Sequence, residues 1–320
     1  MSGRAVITVT GPVPEEELGF CQSHEHLFIA KGRSFEENPA LWMDDVSKIR
    51  QETARYRRAG GGTLVDAQPV GCGRMCQNLR GISLRSGVHI LASTGFHKLR
   101  FYPPDHWLFS LSEDALTSLF LHELTHGMYD GCDGAPPGAE DTGIRAGLIK
   151  TALDACGLTA EYARLFAAAA AAAVEAGRAL MVHIEVGSRP MALLRFLLDR
   201  GVPPERIIFC HTDRACADPG IRRDLAAAGV FLELDTIGRF HYHSDQEEAD
   251  IFLDLLDAGF QRQLLFSLDT TRTRLKCFHP QAVGLDYLLN VFLPLLRSRG
   301  VSQEQLALIS HHNFVSAFHA

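Results

Sequence analysis

The sequence predicts an α/β protein: one closed parallel (β/α)8 barrel, taking in residues 1–320 as a single domain. Three observations predict it. Eight short β-rich runs alternate with helical patterns along nearly the whole chain. Several of those runs are apolar at almost every position, as strands buried on both faces must be. Polar side chains of the metal-binding type gather at the C-terminal ends of the runs, the end where barrel enzymes assemble their sites.

The expected strands are residues 19–24, 63–67, 89–94, 146–151, 179–183, 207–211, 230–235 and 264–269. Helical patterns fall between them at 44–59, 111–129, 159–176, 190–200, 219–228 and 245–259, and a last one at 281–299. Glycine follows four of these helices, at Gly60, Gly177, Gly229 and Gly259, where a left-handed residue suits a helix end. The first strand is not followed by G-x-G-x-x-G, which argues against an open dinucleotide-binding sheet. Residues 95–145 form the longest connection and hold a Gly/Pro-rich stretch at 130–143, read as a mobile loop.

Composition narrows the function. Hydrophobic residues make up 46% and charged residues 22% of 320, an ordinary globular balance. Lys and Arg number 31 against 38 Asp and Glu, for a net charge of −7, and no basic run exceeds two residues. Nucleic acid is therefore excluded as the main partner, since phosphate neutralisation needs clustered cations. The longest apolar stretch, 166–174, is an alanine run about half as long as a membrane span of ~20 residues. It reads as a helix packed closely against a neighbour, and no membrane partner is expected. The N-terminus lacks a basic segment followed by an apolar run, and the eight cysteines are scattered without C-x-x-C. Both features point to reduced thiols in a cytoplasmic protein. A small-molecule substrate is expected, with a homodimer as the candidate assembly.

The chemistry is carried by strand ends. The first strand ends in Ser23-His24-Glu25-His26, and residues two apart in an extended chain point the same way, so His24 and His26 can grip one ion together. Later strands end in Lys150, His183, His211 and Asp269. A lone His after a strand is most often a hydrogen-bonded turn residue, and a lone Asp a helix cap. The ordered set converging on one barrel mouth reads as a site.

In this context the chain resembles the phosphotriesterase-related branch of the amidohydrolase superfamily. The resemblance rests on Gln22-Ser23-His24-Glu25-His26-Leu27, residues 142–150, Val182-His183, residues 210–214 and Ser267-Leu268-Asp269. It implies an amidohydrolase-type barrel in which His24, His26 and Asp269 hold one divalent ion and His183 and His211 another. Lys150, carboxylated on its amine, would bridge both together with a hydroxide. An unmodified ammonium cannot be a ligand, whereas a carbamate can. Zinc suits the donors best, and manganese or cobalt would bind the same set. Asp269 would move the proton.

The segments 65–74, 93–98, 235–243 and 269–272 look most like a branch that hydrolyses phosphorylated sugar lactones. Four cations, Arg74, Lys98, Arg239 and Arg272, follow strands 2, 3, 7 and 8, with His241 nearby, and are the expected substrate contacts. Phosphotriesterase-like or carboxylesterase activity with the same site is the alternative, as is a metal-binding barrel without turnover. His122-Glu123-Leu124-Thr125-His126 also fits the H-E-x-x-H pattern of zinc proteases, although no third ligand follows at the usual interval.

Overall fold

The computed structural model describes residues 3–320. A short antiparallel hairpin, β1 (Ala5–Thr8) and β2 (Gly11–Pro14), precedes eight parallel strands. These are β3 (Phe20–Glu25), β4 (Gly61–Asp66), β5 (His89–Gly95), β6 (Leu148–Leu153), β7 (Leu180–Ile184), β8 (Ile207–Cys210), β9 (Phe231–Leu234) and β10 (Leu264–Phe266), neighbours in sequence order. The sheet curls until its first and last strands meet. There the Asp269 amide donates to the His24 carbonyl at 3.0 Å, the His24 amide to Ser267 Oγ at 2.9 Å, and Ser23 Oγ to the Phe266 carbonyl at 3.1 Å. The expected (β/α)8 barrel is thus the fold.

Two apolar layers explain why the strands read as near-continuous hydrophobic runs. Val65, Leu91, Leu148, Met181, Ile208 and Leu265 fill the barrel interior, plugged by Val6 of the hairpin and by Phe314 and Phe318 of the C-terminal helix. Their neighbours Leu64, Ile90, Ile149, Val182, Phe209 and Phe266 face the helical shell. Because side chains alternate along a strand, Lys150 and His183 lie on the same inner face as Leu148 and Met181, one layer nearer the mouth.

The shell is built from α1 (Val46–Arg58), α2 (Cys76–Ser86), α3 (Glu113–Thr125), α4 (Ala160–Ala176), α5 (Pro190–Leu198), α6 (Pro219–Ala227) and α7 (Asp245–Asp257). In α4 the alanines of the run other than Ala171 are buried, and the helix packs against α3, as close approach without side-chain bulk allows. Gly177 closes α4 with φ +63°, the left-handed stop expected of it. Gly95 is required for a different reason, close approach of two backbones. A Cβ there would lie 2.0 Å from the Lys150 carbonyl, which must instead accept the Phe96 amide at 2.9 Å.

Three expectations change. The helix expected at 281–299 begins only near Tyr287 and includes a π-turn, Leu288–Phe292, just before Leu293–Ser298. Pro294 has no N–H to bond the carbonyl four residues back, and the wider turn takes up the mismatch. Helix α2 and the hairpin are additional elements. Segment 130–143 is anchored, with the Cys132 carbonyl accepting from Trp107 Nε1 at 2.8 Å and Asp133 Oδ1 from the Gly73 amide at 2.6 Å. No helix among the described residues is long and apolar enough to cross a membrane.

Candidate metal centre

At the C-terminal mouth of the barrel two groups of donors flank Lys150. In the first, Asp269 Oδ1 lies 3.7 Å from His24 Nε2 and 3.5 Å from His26 Nε2. In the second, His183 Nδ1 and His211 Nε2 are 2.7 Å apart. Between them Lys150, wholly buried, brings Nζ to 3.0 Å from His24 Nε2 and 3.7 Å from Cys210 Sγ. The backbone is bent to reach this geometry. Among the described residues only Arg189, His211 and Asp269 combine a positive φ with a side chain, and two of these three are site residues. Such conformations cost about 1–3 kcal/mol each and persist where surrounding contacts impose them.

The outer nitrogens decide what the inner ones can do. His211 Nδ1 donates to Asp235 Oδ1 at 2.6 Å, His183 Nε2 to Glu185 Oε1 at 3.0 Å, and His24 Nδ1 to Glu233 Oε2 at 2.8 Å with Asp235 Oδ2 at 2.9 Å. A carboxylate that takes the outer N–H leaves the inner nitrogen as a bare lone pair, the tautomer of a metal-bound imidazole. Burial, together with the neighbouring His211, holds His183 well below the ordinary imidazole range. Burial and the Arg214 charge do the same to His211. Where both outer N–H groups are donated to carboxylates, His183 Nδ1 and His211 Nε2 present two lone pairs to the same point, 2.7 Å apart. They repel unless a cation sits there, and this chemistry fits a divalent ion.

Asp269 differs from these groups. Burial works to raise its carboxyl, but the Arg239 guanidinium at 2.6 Å and the His26, His211 and His24 rings outweigh it and hold it well below the usual carboxylate range. It enters the site ionised.

Above the donors opens a cavity of about 380 Å3, lined by Lys98, Arg100, Arg214, Arg239 and Tyr242 as well as by the ligand-type residues. Lys98 and Arg239 are thus placed at the mouth as the sequence suggests. Three other expected contacts are not. Arg74 is buried in a bidentate pair with Glu123, at 2.7 and 2.6 Å, and donates to the Ser93 and Tyr129 carbonyls, so it points into the shell. Arg272 lies over the Trp42 and Phe278 rings, 5.0 and 4.6 Å from their centroids, and donates to the Trp42 carbonyl. His241 is exposed outside the cavity lining. The sequence reading missed Arg100, Arg214 and Glu185. It also missed Glu233 and Asp235, whose spacing of two at the end of β9 is the same signal that picked out His24 and His26.

Helix α3 carries the competing H-E-x-x-H motif on the outside of the barrel. Both oxygens of Glu123 bond Arg74, Oε1 also accepts the Tyr129 amide, and His122 pairs with Asp141 at 2.8 Å. Glu123 is buried, closed off from water and neutralised by Arg74, which removes the protease reading.

A family model described as the phosphotriesterase family matches residues 4–318. The chain belongs to the phosphotriesterase family. It is 28% identical over 323 residues to a phospho-furanose lactonase of Mycoplasmopsis agalactiae, covering 98% of this chain and 91% of that protein. The structure of an amidohydrolase from Mycoplasma synoviae superposes with a TM-score of 0.93 at 26% identity, covering 100% of this chain and 93% of the other. The phosphotriesterase homology protein of Escherichia coli, solved with phosphate in its active site, superposes at 0.83 with 25% identity over 94% of this chain and 99% of that one. With its donor groups in place, this member of the phosphotriesterase family is a metal-dependent hydrolase acting on ester bonds.

Proposed function

We propose that the enzyme is a binuclear lactonase that opens a phosphorylated sugar lactone. The observation that carries the proposal is the placement of Lys98, Arg100, Arg214 and Arg239 around the cavity directly above the ligand-type residues. Lys98 and Arg214 share Glu185 and Arg239 pairs with Asp269, so four cations meet these two carboxylates. A neutral ester needs no such surplus, whereas a phosphate remote from the reacting carbonyl does. Similarity to a phospho-furanose lactonase and to a structure with phosphate in its active site supports the same reading.

His24, His26 and Asp269 would hold one ion and His183 and His211 the other, zinc being the best match to imidazole and carboxylate donors. Lys150 would bridge them as a carbamate, formed when its neutral amine adds CO2 and releases a proton. When bound, two such ions acidify a shared water and polarise the substrate carbonyl. The chain's own groups do the rest. Asp269, reaching both the first donor pair and the cavity, accepts a proton from the attacking water and returns it to the ring oxygen that leaves. Arg239 keeps Asp269 ionised and, with Lys98, faces the substrate's phosphate. Binding that phosphate positions the lactone carbonyl over the donors.

The test is a ratio: kcat/KM for a five-carbon lactone phosphate over that for its unphosphorylated counterpart. Arg239→Met should lower this ratio by a factor on the order of 10–100, the loss of a charge-assisted contact of ~1.5–3 kcal/mol. Arg272→Met and Arg74→Met should leave it unchanged. A ratio near one in the wild type would reject the phospholactone and leave a hydrolase of neutral esters.

A further inference from the structure

A second group of donors lies outside the barrel mouth. Asp213 follows β8 on the short turn Thr212–Ala215, His243 ends the loop after β9, and Glu248 sits in the first turns of α7. One ligand atom from each lies within 4.8 Å of the others. Glu248 is completely buried; its Oε2 pairs with His243 Nε2, and its Oε1 has no hydrogen-bond partner among the described residues. Asp213 is also buried. Its Oδ2 accepts from the Thr236 amide at 2.6 Å and from Thr236 Oγ1 at 2.8 Å, and its Oδ1 from the Arg214 amide at 2.8 Å, which leaves lone pairs on both oxygens. Among the described residues no Lys or Arg side chain bonds either carboxylate. The two carboxylates face one imidazole, and burial pushes the Glu248 carboxyl above its usual range, because a charge placed there has no cation beside it other than that ring. Burying such charge without a partner is costly.

We propose that Asp213, His243 and Glu248 form a further cation site, separate from the paired donors at the mouth, taking zinc or manganese. One imidazole and two carboxylates are the donors such ions prefer. The three residues come from three elements, and the loop they clamp carries Arg239 and Tyr242, which line the reaction cavity. The ion is therefore structural: it fixes the substrate-facing loop between β9 and α7.

The experiment is metal analysis of full-length protein stripped with a chelator, reloaded with zinc sulfate or manganese chloride and freed of excess ion. Wild type should retain one more ion per chain than Glu248→Gln, which keeps the side chain's shape and removes its charge. Reading the difference between the two proteins makes the result independent of how many ions the barrel mouth holds. His243→Asn, altered nearer the surface, should show the same loss of one ion, and serves if Glu248→Gln does not fold. Anomalous diffraction from zinc-loaded crystals should place the additional ion among the three side chains. Equal ion content in wild type and both variants, or no anomalous peak at this place, would overturn the site and leave His243 and Glu248 as a plain buried ion pair.

Discussion

Arg74→Met separates a structural arginine from a substrate-binding one. In the fold Arg74 and Glu123 are both buried and joined by two hydrogen bonds of 2.7 and 2.6 Å. Methionine fills similar space but leaves Glu123 as an uncompensated buried charge, with only the Tyr129 amide still donating to it. Breaking one side of a buried pair costs about 3–5 kcal/mol. Unfolding entropy of ~2 cal/mol/K per residue gives roughly 0.7 kcal/mol/K for 320 residues, so Tm should fall by ~4–7 °C. Adding Glu123→Leu removes the stranded charge and should restore part of that loss, because replacing both partners by apolar groups is close to neutral. Calorimetry of the wild type, the single variant and the double variant reads the effect, and lactone kinetics below the transition should be unchanged. An unaltered Tm together with a raised KM for phosphorylated substrate alone would refute the reasoning and return Arg74 to the cavity.

Lys150→Ala should abolish turnover and weaken metal retention, with partial recovery on adding a small carboxylate. Lys150→Arg should not recover, and full activity there would exclude a carbamate bridge. Asp269→Asn should lower kcat by about 10²–10⁴ with a much smaller change in KM, since proton transfer belongs to the transition state; parallel losses of kcat and bound metal would indicate a collapsed site instead. Folding depresses the imidazoles of His97, His183 and His211 below their usual value of 6.5, burial being the main cause. Between the folded and unfolded values the unfolded chain binds more protons, so their contribution is present above pH 6.5 and is lost as pH falls. Glu25, pushed up to about 7 by burial, and His24, held above its usual value, act with the opposite sign, so the reading is a difference. The urea midpoint of metal-free His97→Gln should fall less between pH 7.5 and about pH 5.5 than that of wild type, and an identical pH dependence in the two proteins would contradict the shift at His97.

How much was legible in the sequence follows from how local each signal is. Strand alternation and the runs flanking His24, Lys150, His183, His211 and Asp269 are properties of consecutive residues, and the structure brings all of these side chains together. Arg74 and Arg272 also lie just after barrel strands, but a guanidinium on a long flexible arm goes where its partners are. Glu123 lies 49 residues from Arg74 and Trp42 lies 230 residues from Arg272. No local pattern announces those pairings. Arg100 and Arg214 were overlooked for the same reason in reverse, since folding supplies the cavity that gives them a role. Helix α2 was hidden because Gly81 and two serines sit within it and its buried apolar residues are only Cys76, Leu79 and Ile82.

Reconstitution of lactone hydrolysis tests the central claim most directly. Metal-free protein should be inert toward a five-carbon lactone phosphate. Zinc should restore a kcat/KM on the order of 10⁴ M⁻¹s⁻¹ or more, within the ordinary enzyme range, and only in protein whose His24, His26, His183 and His211 are intact. Hydrolysis that is equally fast without metal, or that survives the loss of these four histidines, would contradict the account.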